Sequence, residues 1–201
     1  MAQELAEALN LAEIRFIPAA NPPHKAAPTV SAQQRAEMVQ LAIADNPLFK
    51  LDTRELNRQG ASYTIDTLIS VREELGESVS ICLMMGSDAF TKLDSWHRWN
   101  ELLDYCHIIL VQRPGSKTQA KLSDQLTTFL ADNYTENVDD LREKTAGYMH
   151  MQQITAQDIS ATHIRENLVS GKSANYLVPA KYLVPESVLA YIQQQQLYCA
   201  V

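Results

Sequence analysis

The stretch "ISATHIR" (159 to 165) places a serine, a threonine and an arginine at short intervals. Ser160 is a favourable N-cap residue, and Thr162 adds a hydroxyl within the first turn of the helix that would follow. Backbone N–H groups at such a helix start attract anions, and Arg165 offers a planar fork that suits phosphate. An ordinary N-cap followed by a surface arginine explains the same pattern, and for this fragment alone it is the favoured interpretation.

The loop "PAANPPHK" (18 to 25) places His24 and Lys25 directly after two prolines. Such a pair can bind phosphate or stabilise the charge that develops on it. The prolines would fix the backbone, so that little loop entropy is lost on binding. A lone His-Lys pair in a loop is more often simply solvated.

The stretch "MGSDAF" (85 to 90) contains Asp88, which can accept hydrogen bonds from ribose hydroxyls or cap the short helix "DAFTKL". Alone, the capping interpretation is favoured. Trp96 and Trp99 follow, three residues apart on an expected helix. They can stack on an aromatic ring, but tryptophans at this spacing more often belong to a core.

The elements that would position these residues alternate between strand and helix. Strands are predicted at residues 14 to 17, 48 to 56, 79 to 86, 107 to 112 and 148 to 154. Helices are predicted at residues 2 to 12, 31 to 45, 65 to 75, 96 to 103, 121 to 132, 160 to 169 and 186 to 196. The alternation predicts an α/β sandwich around a mostly parallel sheet, organised as one domain over residues 1 to 201.

Ligands of open α/β sheets bind beyond the carboxyl ends of the strands. "PAANPPHK", "MGSDAF" and "QRPG" (112 to 115) all follow predicted strands, and "ISATHIR" opens a helix. Each signal is weak alone. Their joint placement predicts a nucleotide or sugar-phosphate site at one edge of the sheet.

Composition narrows the class of protein. The formal charge of -7 argues against general nucleic-acid binding, and no apolar run approaches the ~20 residues that span a bilayer. The acidic, helical N-terminus does not resemble a signal peptide. The cysteines and histidines show no metal-ligand spacing, so no protein-bound metal is assigned. We therefore expect a soluble cytoplasmic protein without nucleic-acid or membrane partners; the sequence leaves its oligomeric state open.

The chain resembles the bacterial nicotinate-mononucleotide adenylyltransferases, a family of the HIGH-type nucleotidyltransferase superfamily. The matching segments occur in the family's order over nearly the whole chain. They are "FIPAANPPHK", "RAEMVQLAIADNPLFKLDTRELNRQGASYTIDTL", "MGSDAFTKLDSWHRW", "HIILVQRPG", "ISATHIREN" and "LVPESVLAYIQQQQLY". "SYTIDTL", "GSDAF" and "SWHRW" favour this family over the smaller pantetheine-phosphate adenylyltransferases.

The resemblance implies a Rossmann-like three-layer sandwich and adenylyl transfer from ATP to nicotinate mononucleotide, with Mg²⁺ bound to ATP rather than to protein ligands. It implies ATP contacts for Gly86, Asp88, Arg113, Ser160, Thr162 and Arg165, with Asp88 near a ribose and Arg113 at the adenine end. It implies that Trp96 stacks on the nicotinate ring and that Ser62, Tyr63 and Thr64 present backbone to its carboxylate. It implies phosphate-facing catalytic roles for His24 and Lys25.

Two features depart from the family pattern. The motif G-x-F-D-P-x-H-x-G-H, which carries the family's main catalytic histidines, occurs nowhere in the sequence. The first residues resemble the helix that follows this motif, so we expect an N-terminally truncated chain that lacks its central first strand and is weakly active or inactive. The hexapeptide "ANYLVP" (174 to 179) is followed by a near copy, "AKYLVP", which we expect to lengthen a loop.

Two other functions fit the same residues. One is a related nucleotidyltransferase that accepts nicotinamide mononucleotide. The other is a non-catalytic, nucleotide-binding paralogue.

Overall fold

The computed structural model describes residues 1–21, 30–112, 122–155, 164–165 and 184–198. Its strands are β1 (Ile14–Phe16), β2 (Phe49–Leu51), β3 (Cys82–Gly86), β4 (His107–Gln112) and β5 (Met149–Gln153). Its α-helices are α1 (Ala2–Ala8), α2 (Ala32–Ile43), α3 (Thr64–Leu75), α4 (Ser87–Phe90), α5 (Leu102–Tyr105), α6 (Asp124–Asn133), α7 (Asp140–Glu143) and α8 (Glu186–Gln194). Short 3-10 segments occupy Leu93–Ser95 and Trp99–Glu101.

The described strands form two sheets, and every pairing within them is parallel. β1 pairs with β2, while β3, β4 and β5 form a second sheet in that order. The chain divides into two compact units, the first comprising Met1–Leu11 and Ser62–Ala156, the second Ala12–Ala61 and Gln157–Val201. The α/β class with parallel strands, predicted from the alternation of elements, is confirmed.

β4 is the central strand of the first unit. Ile108 and Leu110 pack into one apolar cluster, while Ile109 and Val111 pack into another. Side chains of a strand alternate between its faces, so both faces of β4 are covered. This explains why "HIILVQ" is almost continuously apolar, as expected for a buried parallel strand.

The second unit packs helices α2 and α8 together around a smaller apolar cluster. Ser31 and Gln34 form a capping box at the start of α2, since each side chain bonds the other residue's backbone N–H. Val30, Val188 and Ile192 are buried at the centre of this cluster. The same helix pair is joined by the Tyr191 hydroxyl, which donates a hydrogen bond of 2.5 Å to Glu37.

Several predicted elements are shorter than the sequence pattern suggested, and two of them differ by four residues or more. The strand expected over residues 48 to 56 ends at Leu51, because the Asp52 carboxylate accepts a bond from the Arg54 N–H and turns the chain. α1 ends at Ala8 rather than near residue 12, and Asn10 adopts a positive φ of 49°. The helix expected near residues 160 to 169 lies outside the described residues except for 164–165, which are helical.

One predicted helix is replaced by shorter segments. "WHRWNELL" (96 to 103) does not form a single helix, since Trp96 is extended and Arg98 is left-handed. The short helix α7 has no clear sequence periodicity and was not predicted. Within the described ranges, no helix combines the length and the apolar character needed to cross a membrane.

Candidate functional site

The carboxyl end of β3 leads directly into helix α4. Gly86 is the N-cap, and Asp88 lies exposed inside the first turn. The prediction that Asp88 caps this helix is therefore wrong. A Cβ built on Gly86 would lie 2.7 Å from Asp88 Oδ1, so the glycine leaves the space in which the carboxylate sits.

The start of α3 is a second feature of the first unit. Tyr63 is the N-cap residue, with extended φ and ψ of -90° and 133°, and its side chain makes no capping hydrogen bond. Tyrosine cannot satisfy the donors of a first helical turn as serine or aspartate does. The residues predicted to present backbone to a carboxylate, Ser62, Tyr63 and Thr64, thus stand where α3 begins, and its dipole favours an anion there.

Trp96 lies between the two 3-10 segments, in extended backbone with ψ of 147°. Trp96 and Trp99 therefore do not share one helix, contrary to the prediction. Both are partly buried and pack against the larger apolar cluster of the first unit. Tyr63 packs against the same cluster. The core accordingly supports both the tryptophan and the start of α3.

An aromatic contact joins these two segments. The rings of Tyr63 and His97 have centroids 4.4 Å apart and planes tilted by 35°. Arg98, the next residue, has a left-handed φ of 52° and binds Glu101 through two hydrogen bonds of 2.8 and 2.5 Å. No local pattern predicts this contact, because the two rings are far apart in the chain and share no element.

The carboxyl ends of the three strands in the first unit lie at one edge of the sheet. Gly86 pairs in register with Val111, and Gln112 pairs with Gln153. A parallel sheet requires this common edge, and ligands of α/β proteins bind beyond it. Arg113, predicted to act at the adenine end, is the residue after β4 but lies outside the described residues.

The described site residues therefore fall into two groups. Ser62, Tyr63, Thr64, Gly86, Asp88 and Trp96 all belong to the first unit, and Arg165 belongs to the second, where it is exposed. His24, Lys25, Ser160 and Thr162 lie outside the described residues. Their predicted phosphate contacts stay predictions.

In the second unit, the carboxyl end of β2 carries a network of charges. Asp52 lies 2.6 Å from Arg54 Nη2 and 3.7 Å from Arg15 Nη1. Burial raises the pKa of Asp52, but hydrogen bonds from Arg54 and the charges of both arginines outweigh it and leave the pKa below its usual range. The carboxylate thus partly neutralises the positive charge at this strand end.

Metal binding by protein side chains would need clustered ligands. Across the described ranges, no group of three or more histidine, cysteine, aspartate or glutamate residues is placed to hold a metal ion. The thiols of Cys82 and Cys106 are also poor ligands at neutral pH. Burial raises the pKa of Cys82 to about 11 and raises that of Cys106 further.

The chain matches known proteins over most of its length. Residues 1–167 match the family model described as Cytidylyltransferase-like. A probable nicotinate-nucleotide adenylyltransferase of Halorhodospira halophila is 46% identical over 178 residues, which cover 89% of this chain and 80% of the relative. The corresponding protein of Aeromonas salmonicida is 45% identical over 194 residues, which cover 96% of this chain and 86% of the relative.

The fold also matches solved structures. Nicotinic acid mononucleotide adenylyltransferase of Plasmodium falciparum complexed with NaAD matches with a TM-score of 0.64 and 16% identity, over 98% of this chain and 89% of that chain. At this identity the match shows the fold alone, which is the Rossmann-like α/β arrangement expected from the sequence. The family resemblance drawn from the sequence motifs is confirmed.

Proposed function

We propose that this chain, which belongs to the cytidylyltransferase-like family, transfers an adenylyl group from ATP to nicotinate mononucleotide. The products are deamido-NAD and pyrophosphate. One observation carries the proposal: relatives 40–46% identical over most of the chain bear the name nicotinate-nucleotide adenylyltransferase. The uncapped start of α3 and the strand end at Gly86 supply an anion-favouring helix terminus and a carboxylate, which suit this substrate pair.

The reaction needs no protein nucleophile. A phosphate oxygen of nicotinate mononucleotide attacks the α-phosphorus of ATP in line, the bond to the β-phosphate oxygen breaks, and pyrophosphate leaves. Mg²⁺ enters with ATP as the counter-ion of its phosphates. The protein contributes orientation of two polyanions and stabilisation of the charge that spreads in the transition state.

In this proposal, the described residues act at the nucleoside ends of the two substrates. Asp88 accepts hydrogen bonds from a ribose of the adenylyl donor, and Gly86 lets the backbone approach it. Trp96 stacks on the nicotinate ring, while the N–H groups at Tyr63 and Thr64 bind its carboxylate. A carboxylate suits this helix terminus better than a neutral amide does, so nicotinate mononucleotide is the proposed acceptor and nicotinamide mononucleotide the alternative.

The phosphate ends of the substrates are assigned to residues outside the described ranges. His24 and Lys25 are proposed to face the reacting phosphates, Ser160 and Thr162 to hold those of ATP with Arg165, and Arg113 to lie at the adenine end. The proposed substrates are small soluble metabolites, which is consistent with a cytoplasmic location of the reaction. Because the 201 residues contain no G-x-F-D-P-x-H-x-G-H motif, we expect slow turnover.

Calorimetric titration of the chain with nicotinate mononucleotide, nicotinamide mononucleotide and ATP tests substrate recognition. We expect binding of ATP and tighter binding of the acid than of the amide. Chromatographic detection of deamido-NAD and pyrophosphate tests the reaction itself. Preference for the amide would overturn the acceptor assignment, and nucleotide binding without any product would favour the non-catalytic paralogue.

A matched pair of substitutions tests the role given to Asp88. Asp88→Asn keeps the side-chain shape but weakens the acceptor, so ATP should bind about tenfold more weakly. Asp124→Asn changes another exposed aspartate in the first turn of a helix, on α6, and should leave ATP affinity unchanged. Equal affinities for the two variants would remove Asp88 from the ATP site.

A further inference from the structure

The contact between Tyr63 and His97 links the start of α3 to the segment that carries Trp96. The ring centroids are 4.4 Å apart, within the range in which aromatic rings attract one another. His97 is otherwise exposed, whereas Tyr63 is half-buried against the core. Because His97 is exposed, burial in the core does not explain the position of its ring, whereas the contact with Tyr63 does.

The backbone on both sides of His97 is fixed. The Trp96 N–H donates to the Leu93 carbonyl at 2.9 Å, which closes the preceding 3-10 turn. Arg98 adopts the left-handed conformation, which is uncommon for a residue with a side chain. Its guanidinium holds Glu101 through two hydrogen bonds, so the strained residue is anchored locally. His97 is therefore presented from a rigid segment.

Hydrogen bonds hold the backbone of Tyr63 but not its ring. The Tyr63 carbonyl accepts from the Thr67 N–H and hydroxyl at 3.3 and 3.4 Å, whereas its side chain makes no capping bond to the first turn of α3. A ring that packs on Tyr63 from outside limits its side-chain rotamers. It also sets the distance between the start of α3 and the segment of Trp96.

We propose that His97 is a positioning residue for the pyridine nucleotide: its ring packs on Tyr63 and fixes the width of the slot between the α3 terminus and Trp96. This inference rests on the proposed function, which places the nicotinate ring and its carboxylate in that slot. His97 acts through Tyr63 and does not touch the substrate. The ring, rather than its charge, is the active feature.

The neighbouring charges support this choice of the ring. The titratable groups that interact with Arg98 are Glu101, Tyr105 and Asp66, and Arg98 already forms an ion pair with Glu101. Hydrogen bonds from Arg98 lower the pKa of Glu101, and the charges of Arg98 and His97 lower it further. Because Glu101 is already paired with Arg98, the contact that the structure shows for His97 itself is the packing of its ring on Tyr63.

Two substitutions separate ring from charge. His97→Ala removes both, and we expect about three- to tenfold weaker binding of nicotinate mononucleotide by calorimetry, the effect of losing one aromatic pair. His97→Phe keeps a ring without a charge and should restore binding to within about twofold of the original chain. ATP affinity should stay within about twofold in both variants.

The original chain and the two variants give outcomes that distinguish the inference from the function. If the original chain binds nicotinate mononucleotide and His97→Ala binds it equally well, the positioning role is overturned while the proposed function stands. If His97→Phe binds as weakly as His97→Ala, the ring hypothesis is overturned. If the original chain binds neither nucleotide, the proposed function and the inference both fail.

A spectroscopic measurement tests the ring contact without a substrate. In proton NMR spectra, the imidazole signals of His97 should be displaced by the ring current of Tyr63 and should return towards ordinary positions in Tyr63→Leu. Unchanged His97 signals in Tyr63→Leu would overturn the contact itself. Thermal unfolding midpoints of the His97 variants should stay within about 4 °C of the original, as expected for an exposed side chain.

Discussion

The two ends of helix α3 are built in opposite ways. At the C-terminal end, Gly76 closes the helix and its N–H donates to the Arg72 carbonyl. Arg72 is only 6% exposed, and its guanidinium donates to the carbonyls of Gly76, Val79, Tyr105 and Thr145. Carbonyls from separate segments are thus satisfied by one side chain.

At the N-terminal end, Tyr63 provides no capping bond, and a neighbouring ring packs on it instead. A helix end left without side-chain caps costs stability but leaves N–H groups that a ligand can use. The two ends of α3 therefore differ in how their backbone groups are satisfied. One end holds segments of the first unit together, and the other is the end proposed to bind the substrate.

The largest expected effect on stability comes from the C-terminal end of α3, where Arg72 bonds four carbonyls. Arg72→Ala removes a buried guanidinium that donates to four carbonyls, and we expect the free energy of unfolding to fall by at least about 3 kcal/mol, because hydrogen bonds from a buried charged group contribute strongly and because the truncation leaves a cavity. Urea denaturation followed by circular dichroism measures the loss. Glu73→Ala, at the exposed neighbouring position, should change stability by less than about 0.5 kcal/mol.

A loss below about 1 kcal/mol for Arg72→Ala would contradict the assigned role of this end. Arg72→Lys adds a finer test. An ammonium group keeps the charge but cannot reproduce the planar fork that reaches the four carbonyls, so its stability should fall between those of the original chain and Arg72→Ala.

The next effect concerns the residue that ends the helix. Gly76 has φ of 78° and ψ of 177°, a region that is almost restricted to glycine, and nothing lies within 4 Å of a Cβ built there. Gly76→Ala should therefore cost about 1 to 3 kcal/mol through backbone strain alone. The same denaturation measurement applies.

Gly86→Ala serves as the matched control, because φ at Gly86 is an ordinary -75° and only the Asp88 carboxylate must move aside. Its stability loss should be the smaller of the two, while its ATP binding should be weakened. Equal stability losses would show that the conformation of Gly76 is not the cause.

The sequence predicted one end of α3 better than the other. The apolar spacing from Ile65 to Leu75 and the glycine after it predicted the helix and its stop, which the structure confirms. Arg72 fell on the buried face of that pattern. Its carbonyl partners could not be predicted, since Tyr105 and Thr145 are distant in sequence and meet it only through the tertiary fold.

The opposite end shows where local patterns fail. The sequence around Trp96 has ordinary helical propensity, yet the chain is extended there and left-handed at Arg98. Tertiary packing overrides propensity in such short segments. Gly86 and Asp88 follow strand β3 as the sequence pattern predicted, whereas Trp96 does not lie on the predicted helix. The contact between Tyr63 and His97 joins rings that are distant in the sequence, so no local pattern could predict it.

Lowering the pH should reduce the stability of the fold by a smaller amount. His107, beside Arg72, is fully buried; its Nδ1 accepts from the Tyr148 N–H, so Nε2 carries the proton and donates to the Lys144 carbonyl. Burial lowers the pKa of His107, the hydrogen bond to Lys144 opposes this, and the charges of Arg72 and Lys144 lower it further. The neutral form is the one that the fold stabilises.

Because the pKa of His107 is lowered in the folded protein, the fold becomes less stable as the pH falls. The contribution to stability is fully present above the ordinary histidine pKa of about 6.5 and is lost as the pH falls towards the lower folded value. Urea midpoints measured from pH 7.5 to 5 should decline, and His107→Gln should flatten the decline. An equally steep decline in the variant would assign the acid sensitivity to other groups.

The smallest effect tests the binding end directly. Tyr63→Ser and Tyr63→Ala remove the same ring contact, but serine can cap α3 and should be about 0.5 to 1 kcal/mol more stable than alanine. The same hydroxyl would accept from the N–H of Ile65 or Asp66 and reduce the positive potential at the helix start, where the nicotinate carboxylate is proposed to bind. Tyr63→Ser should therefore bind nicotinate mononucleotide more weakly than Tyr63→Ala, although it folds more stably. If the more stable variant, Tyr63→Ser, also binds nicotinate mononucleotide more tightly, the start of α3 does not bind the nicotinate carboxylate as proposed. The difference between the two ends of α3 would then reflect only how their side chains pack.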